Sequence, residues 1–173
     1  MYKRQPEDLA AASELLLKLR PYIRKFQSQP VTDLVNGNLC LSLGYSGDMT
    51  QAQRTADSAG KHAIFQYRIP REGTTVWMDA MAIPVDARHP EYAYAFINFV
   101  MRPDNMAAIS NFTGYPTSNA KARASVDETM RNNPDIYLDE ATYTRLIPGK
   151  DIPQSDMRAR MRTWTKFKTA TAK

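Results

Sequence analysis

The chemistry this sequence can offer lies in carboxylates set beside aromatics. Tyr45 and Asp48 share the turn Gly44-Tyr45-Ser46-Gly47-Asp48, Trp77 and Asp79 stand two apart in a later apolar stretch, and Tyr115 sits in a Gly-Tyr-Pro loop. Residues two apart on a strand share a face, so an extended stretch there points Trp77 and Asp79 the same way. In open α/β sheets ligands bind beyond the carboxyl ends of strands. Aromatic faces attract cations, and carboxylates make charge-assisted hydrogen bonds to N–H donors. The pattern suits a cationic ligand. Each residue also has a structural reading. Asp48 opens a helix and can cap it. Trp77 in an apolar strand can be core, and Tyr115 can be a packing residue. Asp79, between Met78 and Met81, must find a partner or stay near water.

Other chemistries find no footing. Gly44-Tyr45-Ser46-Gly47 is too short for a phosphate loop and no Lys-Ser/Thr follows it. His62 and His89 lie far apart with no partners at ligand or triad spacing, and both read as surface residues. Cys40 is the single cysteine, so no internal disulfide or CxxC site exists; within Leu39-Cys40-Leu41-Ser42-Leu43 it reads as a buried, inert thiol. No enzyme activity, cofactor or metal is expected.

With 173 residues, 43% hydrophobic and 24% charged, the chain has the composition of one globular domain or two small ones. A net charge of +5 and a pI near 9.3 make a basic nucleic-acid-binding domain the competing function class. Arg158, Arg160, Arg162, Lys166, Lys168 and Lys173 crowd the C-terminal end, where a solvated helix face is the simpler reading. No run approaches the ~18 apolar residues of a membrane-spanning helix. Met1 to Pro6 is polar and unlike a signal peptide, which on its own predicts a cytoplasmic chain.

To position the candidate residues, apolar spacing predicts helices over 7–19, 30–35, 49–59, 90–101, 104–111 and 155–168, with shorter ones near 124–131 and 139–146. Strands are predicted over 39–43, 64–69 and 74–83, and Ile147-Pro148-Gly149-Lys150 as a break. Strands alternating with helices imply an α/β layered fold.

A resemblance sharpens this. Leu43 to Asp48 with Gln51-Ala52 and Arg54, Tyr67-Arg68-Ile69-Pro70-Arg71-Glu72-Gly73, and Trp77-Met78-Asp79-Ala80-Met81-Ala82-Ile83-Pro84 with Asp86-Ala87 occur in order. They are followed by Ala95-Phe96-Ile97-Asn98-Phe99 with Arg102-Pro103, then Gly114-Tyr115 with Asn119, and Arg162-Thr163-Trp164-Thr165-Lys166. Together they resemble the C-terminal half of the bacterial periplasmic polyamine-binding proteins of ABC importers, the putrescine-binding branch most of all. The resemblance implies an incomplete two-lobed periplasmic-binding-protein fold of type II. Residues 1–63 would belong to the second lobe, 64–69 to a crossing strand, 70–112 to the first lobe, and 113–173 mainly to the second lobe again. It implies that Asp48 and Asp79 bind ammonium groups, that Tyr45 and Trp77 box the aliphatic chain, and that Tyr115 lines the cleft. Ser28, in Phe26-Gln27-Ser28, would match a serine contact. The family usually has Trp where Tyr45 stands. The implied partners are a polyamine, an ABC-transporter permease, and either the missing N-terminal half or a second copy of the chain. The implied compartment is the periplasm, with no role for nucleic acid.

Overall fold

The computed structural model describes residues 6–149 and 151–170, so the opening residues 1–5, Lys150 and Lys173 of the sequence readings lie outside the described residues. The chain forms two compact units, one from its two ends (described residues 6–28 and 151–170) and one from residues 29–149.

In the unit of the chain ends, α1 (Pro6–Leu19) begins with proline, has Glu7 and Asp8 in its first turn and Lys18 in its last, the charge order its dipole favours. Pro21 has no N–H to continue the ladder, and the chain tightens into a 3₁₀ turn over Arg20–Tyr22. The C-terminal helix, named α8 below once its predecessors are placed, spans Gln154–Thr169 and packs on α1. Phe26 meets Trp164 and Phe167 edge-on at centroid distances of 5.6 and 5.2 Å. Arg20 lies over the Phe26 ring at 5.2 Å and Lys168 over Trp164 at 5.7 Å. Arg158, Arg162, Lys166 and Lys168 are exposed and Arg160 is half-buried, as on a solvated helix face.

The unit of residues 29–149 holds α2 (Val31–Val35), α3 (Ser46–Ser58), β1 (Thr75–Val76), α4 (Pro90–Val100), α5 (Pro103–Thr113), a 3₁₀ turn (Ala120–Ser125), α6 (Glu128–Arg131), α7 (Glu140–Tyr143) and β2 (Ile147–Pro148), after which comes α8. Two small apolar cores hold it. Val35, Ala52 and Ala56 bury against each other between α2 and α3, with Val31, Ala63 and Phe65 packed on them. Ala107, Ala122, Val126, Met130 and Ile136 bury together beneath α5. Lys61 Nζ donates to the Val35 carbonyl at 3.0 Å and to Asn36 Oδ1 at 2.8 Å, closing the end of α2.

The predicted strands are corrected. Among the described residues the only ladder is β1 with β2, parallel and two residues long, pairing Thr75 with Ile147 and Val76 with Pro148. Residues 39–43 form no strand, and Leu41 and Leu43 are 90% and 97% exposed. Cys40 is exposed rather than buried, because no neighbouring strand covers it. Residues 64–69 keep the strand's alternation, with Phe65, Tyr67 and Ile69 half-buried and their neighbours exposed. Part of their backbone is met by a side chain: Gln53 Nε2 donates to the Ala63 carbonyl at 3.0 Å, and Gln53 Oε1 accepts from Phe65 N at 3.0 Å. Residues 77–83 leave the ladder altogether. The short helices shift as well, the region 124–131 dividing into a 3₁₀ turn and α6, and 139–146 shrinking to α7.

The turn before β1 depends on Gly73. Its φ is +88°, and a Cβ there would fall on the Arg145 carbonyl oxygen. Gly149, after β2, has open space around it. Gly73→Ala is therefore expected to destabilise this unit by about 1–3 kcal/mol or more, and Gly149→Ala by no more than a few tenths. Thermal unfolding followed by circular dichroism checks this; equal melting of the two variants would remove the strain argument.

Candidate functional site

Helix α3 builds the site. It starts at Ser46, three residues before the predicted start, because Asp48 reaches back and accepts a hydrogen bond from Tyr45 N at 3.0 Å through Oδ2. This is the acidic half of a capping box, and it places a negative charge at the positive end of the helix. Asp48 thus caps the helix from its third position and is not itself the N-cap residue, a place that Tyr45 takes because the helix starts earlier than expected. This leaves the carboxylate acceptor capacity for a ligand, since two oxygens offer about four lone-pair sites.

Tyr45, immediately before α3, stands edge-on to Trp77, with ring centroids 5.2 Å apart and an interplanar angle of 80°. The two rings are 48% and 57% exposed, so Trp77 is not core; it forms an open aromatic corner with Tyr45. Asp79, two residues on, is exposed and remains at water, as an unburied carboxylate must.

Tyr115 reaches the same place from α5. The helix closes on Gly114 at φ +81°, the left-handed conformation glycine adopts without penalty. Buried Ser110 donates through Oγ to the Tyr115 carbonyl, and the phenol ring lies where a Cβ on Gly47 would stand, 2.5 Å from its nearest ring atom. Burial pushes the Tyr115 phenol above its ordinary 10.0, and the charges of Asp48 and Asp79 with the phenols of Tyr45 and Tyr67 push it further. The hydroxyl thus senses both carboxylates.

Five of the six predicted residues, Tyr45, Asp48, Trp77, Asp79 and Tyr115, lie in this one unit and converge there. Ser28 is exposed and belongs to the unit of the chain ends. Sequence reasoning missed Tyr67 as a neighbour of the cluster. Its phenol is also raised, by burial and then by Asp135, which pairs with Arg68. The signal was available in the alternation of residues 64–69, which puts Tyr67 on the inward side with Phe65 and Ile69. Gln51 and Arg54 appear in the sequence only as part of a motif, with no role assigned; both donate to backbone carbonyls at the end of α5. Among the described residues no group of three or more His, Cys, Asp or Glu side chains is arranged to hold a metal ion. His62 and His89 are exposed, His89 lying 3.3 Å from Glu91.

The family model for bacterial extracellular solute-binding proteins matches residues 1–136 of this chain. The chain belongs to that family. Over 165 residues the chain is 44% identical to the putrescine-binding periplasmic protein SpuD of Pseudomonas aeruginosa, covering 95% of itself and 45% of that protein. It is 39% identical over 159 residues to the putrescine-binding periplasmic protein PotF of Escherichia coli, covering 91% and 43%. Its fold matches that of the spermidine/putrescine ABC transporter substrate-binding protein PotD of Streptococcus pneumoniae, with a TM-score of 0.79 at 24% identity, over 96% of this chain and 50% of that one. The chain spans about half the length of the relatives it matches. The expected fold, part of a two-lobed α/β periplasmic-binding-protein architecture, is the fold found. These relatives are named as binding proteins and several as periplasmic, and they lend nothing to a nucleic-acid-binding reading.

The Tyr115 environment is testable by titration. With nine tyrosines in the chain, the Tyr115 signal is isolated by subtracting the ultraviolet titration of Tyr115→Phe. Its midpoint is expected above 10.0, and Asp48→Asn should lower it, because one negative neighbour is gone. The folded-state value is raised, so the contribution to stability is full below pH 10 and is lost as pH rises through the folded value. A Tyr115 midpoint that Asp48→Asn leaves in place would separate the two groups.

Proposed function

We propose that this chain supplies one wall of a polyamine site in a periplasmic receptor for ABC-type import. The observation that carries the reading is the open aromatic corner of Tyr45 and Trp77, with Asp48 bonded to the Tyr45 backbone, Asp79 two residues beyond Trp77, and both carboxylates acting on the Tyr115 phenol. A diamine is two ammonium groups joined by an apolar chain. Carboxylates take the ammonium groups by charge-assisted hydrogen bonds, and aromatic faces cover the methylenes and attract the adjacent cations. Putrescine is the probe the relatives' names recommend. Residues 1–63 and most of 113–173 contribute to one lobe and 70–112 to the other, with 64–69 crossing between them. The receptor hands its ligand to a permease and performs no chemistry on it.

The wall is open. Trp77, Met78, Leu41 and Leu43 are all more than half exposed, and the extended segments 39–43 and 77–83 have no strand neighbours among the described residues. Exposed apolar faces and unpaired edges recruit another chain. Partnering with a complementary N-terminal half, or self-association, follows.

Two experiments test the reading. Calorimetric titration of putrescine into the purified chain, with sedimentation to fix its mass, is expected to give weak or no binding and an associated or partly unfolded species. A dispersed monomer that binds putrescine at micromolar affinity would show a self-sufficient site instead. In a chimaera where this chain replaces the matching half of SpuD, putrescine binding is expected. Asp48→Asn and Asp79→Asn should each weaken it by roughly tenfold or more, since hydrogen bonds to charged groups are worth ~1.5–3 kcal/mol. Trp77→Ala should weaken it with less dependence on ligand charge. A carboxylate variant that binds as well as the parent chimaera makes that residue structural only.

A further inference from the structure

The last carbonyls of a helix have no intrahelical donors and must be satisfied from elsewhere. At the end of α5 the donors come from α3. Gln51 Nε2 donates to the Phe112 carbonyl at 2.9 Å and to that of Thr113 at 3.5 Å. The Arg54 guanidinium donates to the Phe112 carbonyl at 2.8 Å and also to that of Asn111. A cation at the carboxyl end of a helix has the favoured sign for its dipole.

The grip extends along α3. Arg54 and Gln51 hold Asn111, Phe112 and Thr113; Thr50 fills the space beside Gly114, 2.6 Å from where a Cβ would stand; Gly47 lies under the Tyr115 ring. Positions 47, 50, 51 and 54 follow the i, i+3, i+4, i+7 spacing of one helix face. Asp48 is carried on the same helix. The cation of Arg54, a liability beside a site for cations, is thereby committed to carbonyl oxygens.

We propose that Gln51 and Arg54 are positioning residues, which touch no ligand but hold the Tyr115 loop against the helix that carries Asp48. The part of this that concerns ligand affinity rests on the polyamine reading; the part that concerns the placement of Tyr115 does not.

The test uses Arg54→Met, which keeps the aliphatic stem, and Gln51→Met, which removes only neutral hydrogen bonds and decides the matter if the first variant does not fold. In the chain itself, the Tyr115 difference titration is expected to fall toward the ordinary 10.0 in both variants, as the ring leaves its seat and the Asp48 carboxylate. An unchanged Tyr115 midpoint in a variant with native far-ultraviolet circular dichroism overturns the proposal. In the SpuD chimaera, each variant is expected to weaken putrescine binding by roughly two- to tenfold, the range of a single neutral hydrogen bond, because neither residue meets the ligand itself. The same substitution in a Tyr115→Ala background should then cost nothing further. An equal loss in both backgrounds marks a general structural role and overturns the proposal. If the parent chimaera binds no putrescine, the polyamine reading fails and the titration alone decides the positioning.

Discussion

Tyr45 donates its backbone N–H to the Asp48 carboxylate, and the helix that this bond begins carries Asp48, starts beside the Tyr45 ring and seats Tyr115 against Gly47. The bond turns the chain from an extended approach into α3 and fixes the angle at which the Tyr45 ring leaves it. Through that angle Tyr45 meets Trp77, at 5.2 Å and nearly perpendicular. One residue before Asp48, the missing side chain of Gly47 makes room for Tyr115. A single carboxylate thus caps the helix, faces the Tyr115 phenol and presents a negative charge to solvent. Structural and functional readings of Asp48 are not rivals here, because a carboxylate has more acceptor sites than a cap consumes.

The second constraint is the demand of extended backbone for partners. A strand's N–H and C=O groups need a neighbour, and its two faces need cover. In the unit of residues 29–149 only Thr75–Val76 and Ile147–Pro148 satisfy each other as strands. Elsewhere a substitute is found, as where the Gln53 amide meets Ala63 and Phe65, or the apolar side chains stay at water, as with Leu41 and Leu43. Helices, caps and turns, whose partners are near in sequence, form along the unit, whereas the only ladder among its described residues is two residues long.

That division also explains what the sequence made legible. Helix periodicity is local, so α1, α3, α4, α5 and α8 fall close to where apolar spacing puts them. The chemistry of Tyr45, Asp48, Trp77, Asp79 and Tyr115 could be read from residue type and spacing, and three of those five, Tyr45, Asp48 and Tyr115, lie in turns whose glycines and prolines mark them. The predicted strands failed because a strand is a relation between distant segments, and alternation alone does not supply the second segment. Cys40 failed for the same reason, since its burial depended on a sheet. Gln51 and Arg54, legible as motif residues, could be given no role from sequence, because each meets α5 across roughly sixty residues and nothing in either residue's neighbours announces a distant helix end.

The net charge of +5 looks at odds with a site for cations, and the unit that carries the site shows why the sum misleads. Four of its eight guanidinium groups are engaged thus: Arg54 on the end of α5, Arg68 with Asp135, Arg123 over the Tyr137 ring at 4.7 Å, and Arg131 on the Ala124 carbonyl at 2.8 Å. A cation held by carbonyl dipoles or an aromatic face projects less unbalanced field than its formal charge implies. Exposed charges farther than about 8 Å are screened at physiological salt, whereas a carboxylate acts on an ammonium group at ~4 Å. In the proposed site the potential at the aromatic corner is therefore set by Asp48 and Asp79, the two carboxylates whose charges also push the Tyr115 phenol above its ordinary 10.0. Net charge governs how the molecule behaves in solution; the placement of two carboxylates by one helix start and one extended segment governs what it can hold.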